Sequence, residues 1–330
     1  MSETRNRKTV HLPAISMSVV SRLVVLVVII ILGFCIDSSF LTMRNINNNV
    51  SNASILIILG IGQTIAIITN GPDLSSGSVM TISAVIAAIL MKNYDVNFIV
   101  AILIALLCGA LIGMLNGYMI AYVGIPSFIS TYGLMWAIFG FAYVLLNGYV
   151  LYSFGSAFRF IGNGSLFGFL GMPIVVMVII AILGVLLLRK TSFGRKCYAV
   201  GSNNTCAKMS GINSKRVVMG AFVLSAVLSA FAGVLFVARE NAVQADIGNA
   251  YLLPVLAAVF MGGTSPAGGQ GGIFGTIMGA LIITIVTNCM NLLAVPSEWR
   301  EAIIGILIIT TVLLDTIINK RIAKRQTEIS

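Results

Sequence analysis

Ten apolar stretches alternate with short polar or glycine-rich breaks along the 330 residues, at about 19–38, 50–69, 74–91, 97–122, 127–147, 171–188, 217–238, 250–262, 272–293 and 300–318. A helix needs ~20 such residues to cross ~30 Å of hydrocarbon at ~1.5 Å per residue, and most of these stretches are long enough. The pattern predicts an all-α polytopic membrane protein: one domain of about ten transmembrane helices over 19–318, between polar tails at 1–18 and 319–330. The stretch 250–262 is short for a crossing unless its flanking glycines extend it. Two longer polar intervals break the rhythm. The first, 147–171, reads NGYVLYSFGSAFRFIGNGSLFGFLG. Its Gly, Ser and aromatic content predicts an ordered extracytoplasmic loop near the interface, as a connector or as a docking surface for a soluble protein. The second, 189–216, holds seven Lys/Arg and no acid.

Composition removes the soluble alternatives. Hydrophobic residues make up 58% and charged residues 9% of the chain, mean hydropathy is +1.03, and a soluble domain is ~25% charged. The net charge of +10 would suit nucleic acid, but its distribution points elsewhere. With the first residues in the cytoplasm, Arg5, Arg7, Lys8, Arg22, the seven of 189–216 and Lys320, Arg321, Lys324 and Arg325 share one side. Arg44, Lys92, Arg159, Arg239 and Arg300 fall opposite. Fifteen against five is the asymmetry that orients an inner-membrane protein, here with both termini inside. No small-residue cleavage site follows the first apolar run, so the N-terminus is expected to stay attached.

The chemistry available is limited. His11 is the sole histidine and the five cysteines lack metal-ligand spacing, so free thiols and no metal site are expected. No phosphate-binding G-x-x-x-x-G-K-[ST] string and no hydrolytic triad occur, and Asp73 is the one acid read as lying near the middle of the sequence's spans, which argues against both self-contained ATP use and ion coupling. Asp73 reads as the N-cap of the third span or as a group on a substrate path. Gln63, Thr64, Asn70, Ser75, Ser78 and Asn116 add neutral polar groups near it. On the ninth span Thr284, Thr287, Asn288 and Asn291 recur at i, i+3, i+4 and i+7, one helical face that either bonds to other helices or lines a path. Gly109, Gly113 and Gly117 on the fourth span, Ser225, Ser229 and Gly233 on the seventh, and Gly275 and Gly279 on the ninth are seams for close helix packing.

In 189–216, Asn203 or Asn204 caps a short helix through Ala207, Lys208 and Met209, Gly211 stops it after Ser210, and Ser214 starts the next helix. Gly194 and Gly201 are expected to let the chain turn as it enters this segment. The basic residues, Arg195 among them, are placed to dock a soluble partner or to meet anionic lipid.

Three strings then coincide: GPDLSSGS at 71–78, TSFGRKCYAVGSNNTCAKMSGI at 191–212 and VFMGGTSPAGGQGGIFGTIMGALI at 259–282. Together they resemble the permease subunit of ribose-type ABC monosaccharide importers, over about residues 45–318. Pro72 and Ser76 depart from the commoner GIDLSVGS form of the first string, which leaves the solute more open. The resemblance implies a vitamin-B12-importer-like permease fold, a homodimer, ATP and Mg on a separate cytoplasmic ATPase, and an extracytoplasmic sugar-binding protein. It also implies that the helix at 203–211 is the element coupling the ATPase to the spans. Related importers take polyols, nucleosides or furanose-like signalling molecules, and a stand-alone facilitator is the alternative from another class.

Overall fold

Lipid offers the backbone no hydrogen-bond partner, so apolar runs of this length satisfy their amides internally as helices. The computed structural model describes residues 17–166, 168, 170–296, 298–310 and 313. Its helices are α1 (Met17–Ile36), α2 (Met43–Ile68), α3 (Ser76–Asn93), α4 (Phe98–Tyr118), α5 (Ser127–Leu146), α6 (Ser156–Asn163), α7 (Met172–Lys190), α8 (Ser192–Ser202), α9 (Asn204–Met209), α10 (Ser214–Glu240), α11 (Asn249–Met261) and α12 (Ile273–Leu292). A thirteenth, α13, covers 298–310. The rest of the tenth apolar stretch except 313, the C-terminal tail and His11 lie outside the described residues. Among the described residues seven helices are long and apolar enough to cross a membrane: α2, α3, α4 with its π-helical extension to Val123, α5, α7, α10 and α12. The chain is therefore a polytopic helical membrane protein. The thirteen residues of α11, interrupted by Pro254, span only about 20 Å and do not cross alone.

The helices outrun the apolar stretches and carry cations in their terminal turns: Lys92 in α3, Arg189 and Lys190 in α7, Arg239 in α10. Long stems let such heads reach the interface, so these three helices end in basic turns although their apolar runs at 74–91, 171–188 and 217–238 hold no Lys or Arg.

At the centre, α2 is buried without a break from Ala53 to Ile68, an all-round apolar helix wrapped by protein. Beside it α10 packs against α3 and α4. The expected small-residue seams account for that packing. A side chain at Gly113 of α4 would meet the Phe222 carbonyl of α10 at 2.7 Å, and one at Gly62 of α2 would meet Ser225 Cα at 3.0 Å. Backbones in lipid approach this closely only where side chains are absent.

Among its described residues, the interval 147–171 contains regular structure. It contains α6, which lies on α10, and two antiparallel ladders of two residues per strand: β1 (Leu151–Tyr152) with β4 (Ala242–Val243), and β2 (Ser165–Leu166) with β3 (Leu170–Gly171). The first ladder pins the segment between α10 and α11 in place. The interval 189–216 is not a loop but two successive helices, α8 and α9, with α7 and α10 reaching into it.

Candidate functional site: a buried polar knot and an amide-lined cavity

The polar residues singled out in sequence separate into two places joined by α2. Near its C-terminal end, Asp73 sits 1% exposed between α2 and α3. Its Oδ1 accepts the Ser75 amide at 3.0 Å and the Ser75 hydroxyl at 2.6 Å, and its Oδ2 accepts the Ser225 hydroxyl of α10 at 2.8 Å. Asn116 of α4 donates to Ser75 Oγ at 2.8 Å, and Ser130 of α5 donates to Asn116 Oδ1 at 3.1 Å. In the amide orientation that satisfies both partners, Gln63 of α2 donates to the Asp73 carbonyl at 3.0 Å and accepts the Asp73 amide at 3.1 Å. The knot thus ties α2, α4, α5 and α10 to the start of α3. Asp73 is not the N-cap of α3. That position belongs to Ser75, which makes no side-chain cap bond, and Asp73 folds the preceding residues into an Asx turn.

The other candidates at this end are equally enclosed. Thr64 bonds the Gly60 carbonyl at 2.7 Å and Thr276 of α12, and Ser78 bonds the Ser75 carbonyl at 2.8 Å. Asn70, in left-handed conformation at φ 65°, lies instead beside Asn204 and Lys208 around a small cleft next to α9. None of these residues faces the larger cavity described next.

Asn52 lies eleven residues before Gln63, about 16 Å away along α2. There a cavity of about 580 Å³ opens between α2, α11 and α12, and Thr284, Thr287, Asn288 and Asn291 line it together. Sequence reasoning missed Asn49, Asn52, Gln244 and Asn249, which complete a lining of six amides, and it missed Asp246 and Glu301. Five asparagines between Asn45 and Asn52 were the visible signal, obscured by starting the second span at 50. The α12 stripe lines the cavity and also bonds across the bundle, because Asn288 and Asn45 of α2 exchange hydrogen bonds at 3.2 Å. Phe236 and Tyr251 meet edge to face at the cavity wall, 6.0 Å between centroids.

At the opposite end from this cavity, α8 and α9 stand beyond the long helices. Thr191 caps α8 by accepting the Gly194 amide at 3.2 Å. Asn203, and not Asn204, caps α9 by accepting the Cys206 amide at 3.0 Å, and Asn213 caps α10 ahead of Ser214. Gly211 at φ 79° ends α9: its amide reaches the Lys208 carbonyl and that of Ile212 the Ala207 carbonyl, both at 3.0 Å, a Schellman motif. Ala207 is the buried anchor of α9, whereas Met209 is 85% exposed, an apolar side chain that the sequence reading treated only as helix filler. Gly194 and Gly201 do not turn the chain. Both lie inside α8, where a side chain at Gly201 would strike the Ile68 carbonyl at the end of α2 and Gly269 N in the loop before α12. Burial raises the Cys197 thiol, on the inner face of α8, to about 12.

Among the described residues no three His, Cys, Asp or Glu side chains converge to hold a metal. The site offers hydrogen-bonding groups, one carboxylate at each of two places on the cavity wall, and no nucleophile set up by a base.

Comparison with known proteins fits a transport role. A family model described as "Branched-chain amino acid transport system / permease component" matches residues 45–312. The chain belongs to this permease family. The permease is 34% identical over 301 residues to the ribose import permease of Escherichia coli K12, covering 89% of this chain and 92% of that one. It is 37% identical to the ribose import permease of Bacillus subtilis 168, covering 88% and 90% of the two chains. To the D-allose transport system permease of Escherichia coli K12 it is 31% identical, covering 89% and 90%. No solved structure matches it. Membership makes the chain a transport subunit and not an enzyme.

Proposed function

We propose that the permease forms the membrane path of an ATP-driven importer that receives a small neutral sugar from a soluble binding protein. One observation carries this reading: six amides and two threonines converge on the cavity between α2, α11 and α12, which no Lys or Arg lines among the described residues. Neutral amides exchange hydrogen bonds with hydroxyls in either direction, which suits a polyhydroxylated solute that must be held loosely and released. The family's printed description concerns branched-chain amino acids, but a zwitterion would bring a carboxylate for which this cavity offers no cation among the described residues. Relatives named for ribose and allose point the same way.

In this proposal the seven long helices, together with α1, α11 and α13, make up a ten-span permease of the vitamin-B12-importer type. The domain covers 19–318, with cytoplasmic tails at 1–18 and 319–330, and two copies form the transporter in the inner membrane. The fifteen-to-five charge asymmetry supports α8 and α9 lying in the cytoplasm and the 147–171 segment outside, facing the binding protein. ATP and Mg belong to the partner ATPase. The α9 helix, fixed at both ends by Asn203 and Gly211 and presenting Asn204, Lys208, Met209 and Ser210, is the element seated in that ATPase. Its movement passes through Gly194, Arg195 and Gly201 of α8 to the end of α2 as a rigid-body shift.

The test is to reconstitute the permease in liposomes with the ATPase and binding protein encoded beside it, and to measure ATP hydrolysis across pentoses, hexoses, polyols and nucleosides. Sugar-stimulated hydrolysis that requires the binding protein is expected. Solute flux through the permease alone, without ATP, overturns the reading in favour of a facilitator.

A further inference from the structure

Polar walls alone would accept any hydroxylated solute, including phosphorylated and acidic sugars, yet the charged side chains on this cavity are both acidic. Asp246 stands on the turn between β4 and α11, and Glu301 in the first turns of α13. The Asp246 turn is held from two sides, by the Asp246 carbonyl accepting the Asn249 amide at 2.9 Å and by the ladder pairing Val243 with Leu151. Its carboxylate is therefore presented by an ordered segment. Two guanidinium groups lie close in sequence or space but are directed to other partners. Arg300 donates from Nε to the Val295 carbonyl at 3.1 Å. Arg239 reaches the Asn48 carbonyl at 3.4 Å and pairs with Glu240 at 3.6 Å. Neither lines the cavity.

From this arrangement we infer that Asp246 and Glu301 make the cavity a charge filter, one that admits neutral polyols and turns away sugar phosphates and sugar acids. The inference rests on the import reading above and adds a specificity device to it. A carboxylate accepts two hydroxyls of a vicinal diol, one on each oxygen, which gives neutral sugars a favourable contact at the wall. The same carboxylates, both exposed at the cavity wall, repel an anionic substituent at short range, so the rejection comes from a built-in repulsive element and not from shape. Binding protein and permease would then discriminate twice, and an anionic sugar bound by error outside would still not be passed on.

The permease alone in nanodiscs, without binding protein, allows the test. Saturation-transfer NMR would record D-ribose against ribonate and ribose 5-phosphate. Wild type is expected to show strong ribose signals and much weaker signals from the two anions. In the doubly neutral variant Asp246→Asn/Glu301→Gln, the anion-to-ribose signal ratio is expected to rise about tenfold, 1.4 kcal/mol. Glu301→Lys, which reverses one charge, should raise it further. Variants are compared only as monodisperse protein, so misfolding cannot mimic the result. Anion signals in wild type equal to those of ribose, or a ratio unchanged in both variants, overturn the filter. Parallel liposome uptake keeps the two claims apart: ATP- and binding-protein-dependent ribose uptake with unchanged anion ratios sinks the filter alone, whereas uptake without ATP sinks the import reading.

Discussion

The knot around Asp73 and the cavity around Asn288 use the same side chains for opposite ends. Both are polar clusters within an apolar bundle, reached by the same helix, α2. In the knot every group named has a protein partner, and the residues are buried almost completely: Gln63 at 0%, Asp73 and Asn116 at 1%. On the cavity wall the amides are only part-buried or exposed, and much of their hydrogen-bonding capacity faces open space. Polar groups in lipid must be satisfied by protein or by water, and the two regions take one solution each. A closed network holds helices in one arrangement, and an open one leaves its donors and acceptors for a passing solute.

The sharpest way to break this contrast is at the knot. Asp73→Ala removes the acceptor of the buried Ser75 and Ser225 hydroxyls, leaving Ser75 only its bond from Asn116, and this should cost about 3 kcal/mol or more. A fall in thermal midpoint in detergent is expected, and transport should fall only with the amount of folded protein. An unchanged midpoint would mean that the knot is not structural. Next in size, Gly201→Val forces a branched side chain against the Ile68 carbonyl, an overpacking of about 1–3 kcal/mol. Sugar-stimulated ATP hydrolysis should drop while the protein still inserts. Normal coupling would separate α8 from the relay.

Smaller effects are expected in the cavity. Asn288→Ala with Asn291→Ala removes lining amides and the Asn45 contact, and an interhelical bond in a membrane is worth ~0.6 kcal/mol. The thermal midpoint should barely move while the KM for uptake rises several-fold; the reverse result would make the cavity a second structural knot. At α9, Gly211→Ala should cost about 1 kcal/mol for its left-handed backbone, with open space around the position. Bulkier residues there should weaken coupling without affecting insertion. The least perturbing measurement is thiol labelling. With its thiol raised to about 12, Cys197 holds almost no thiolate at pH 8 and gains it only as pH approaches that value, so maleimide should react with exposed Cys206 and leave Cys197 untouched. Labelling of Cys206 solely in inside-out vesicles would also place α9 in the cytoplasm.

Much of this architecture was legible in the chain. Apolar run length located six of the seven long helices to within about three residues, because a membrane helix needs continuous hydrophobicity and little else. It missed the polar first turns of α2, which starts at Met43 and not at 50. The glycine seam of α4 was also visible, since small residues at every fourth position have few other uses. Local capping signals identified α9, with Asn203 or Asn204 as its cap and Gly211 as its stop, because a cap acts within four residues of its own position. Less legible were Gly194 and Gly201, whose role depends on what lies across from them and not on their neighbours in sequence.

For the polar residues the division is equally plain. By itself the sequence determined that the chain spans a membrane, which residues could not be satisfied by lipid, and that Thr284, Thr287, Asn288 and Asn291 share a face. It left unresolved which of those groups are spent on one another. Only the tertiary structure decided that Gln63, Asp73, Ser75 and Asn116 close on themselves while Asn49, Asn52, Asp246 and Glu301 join the α12 stripe around an open cavity. Hydrogen bonding between helices depends on distances across the bundle, up to 243 residues apart along the chain for Asn45 and Asn288, and no periodicity within one helix carries that information.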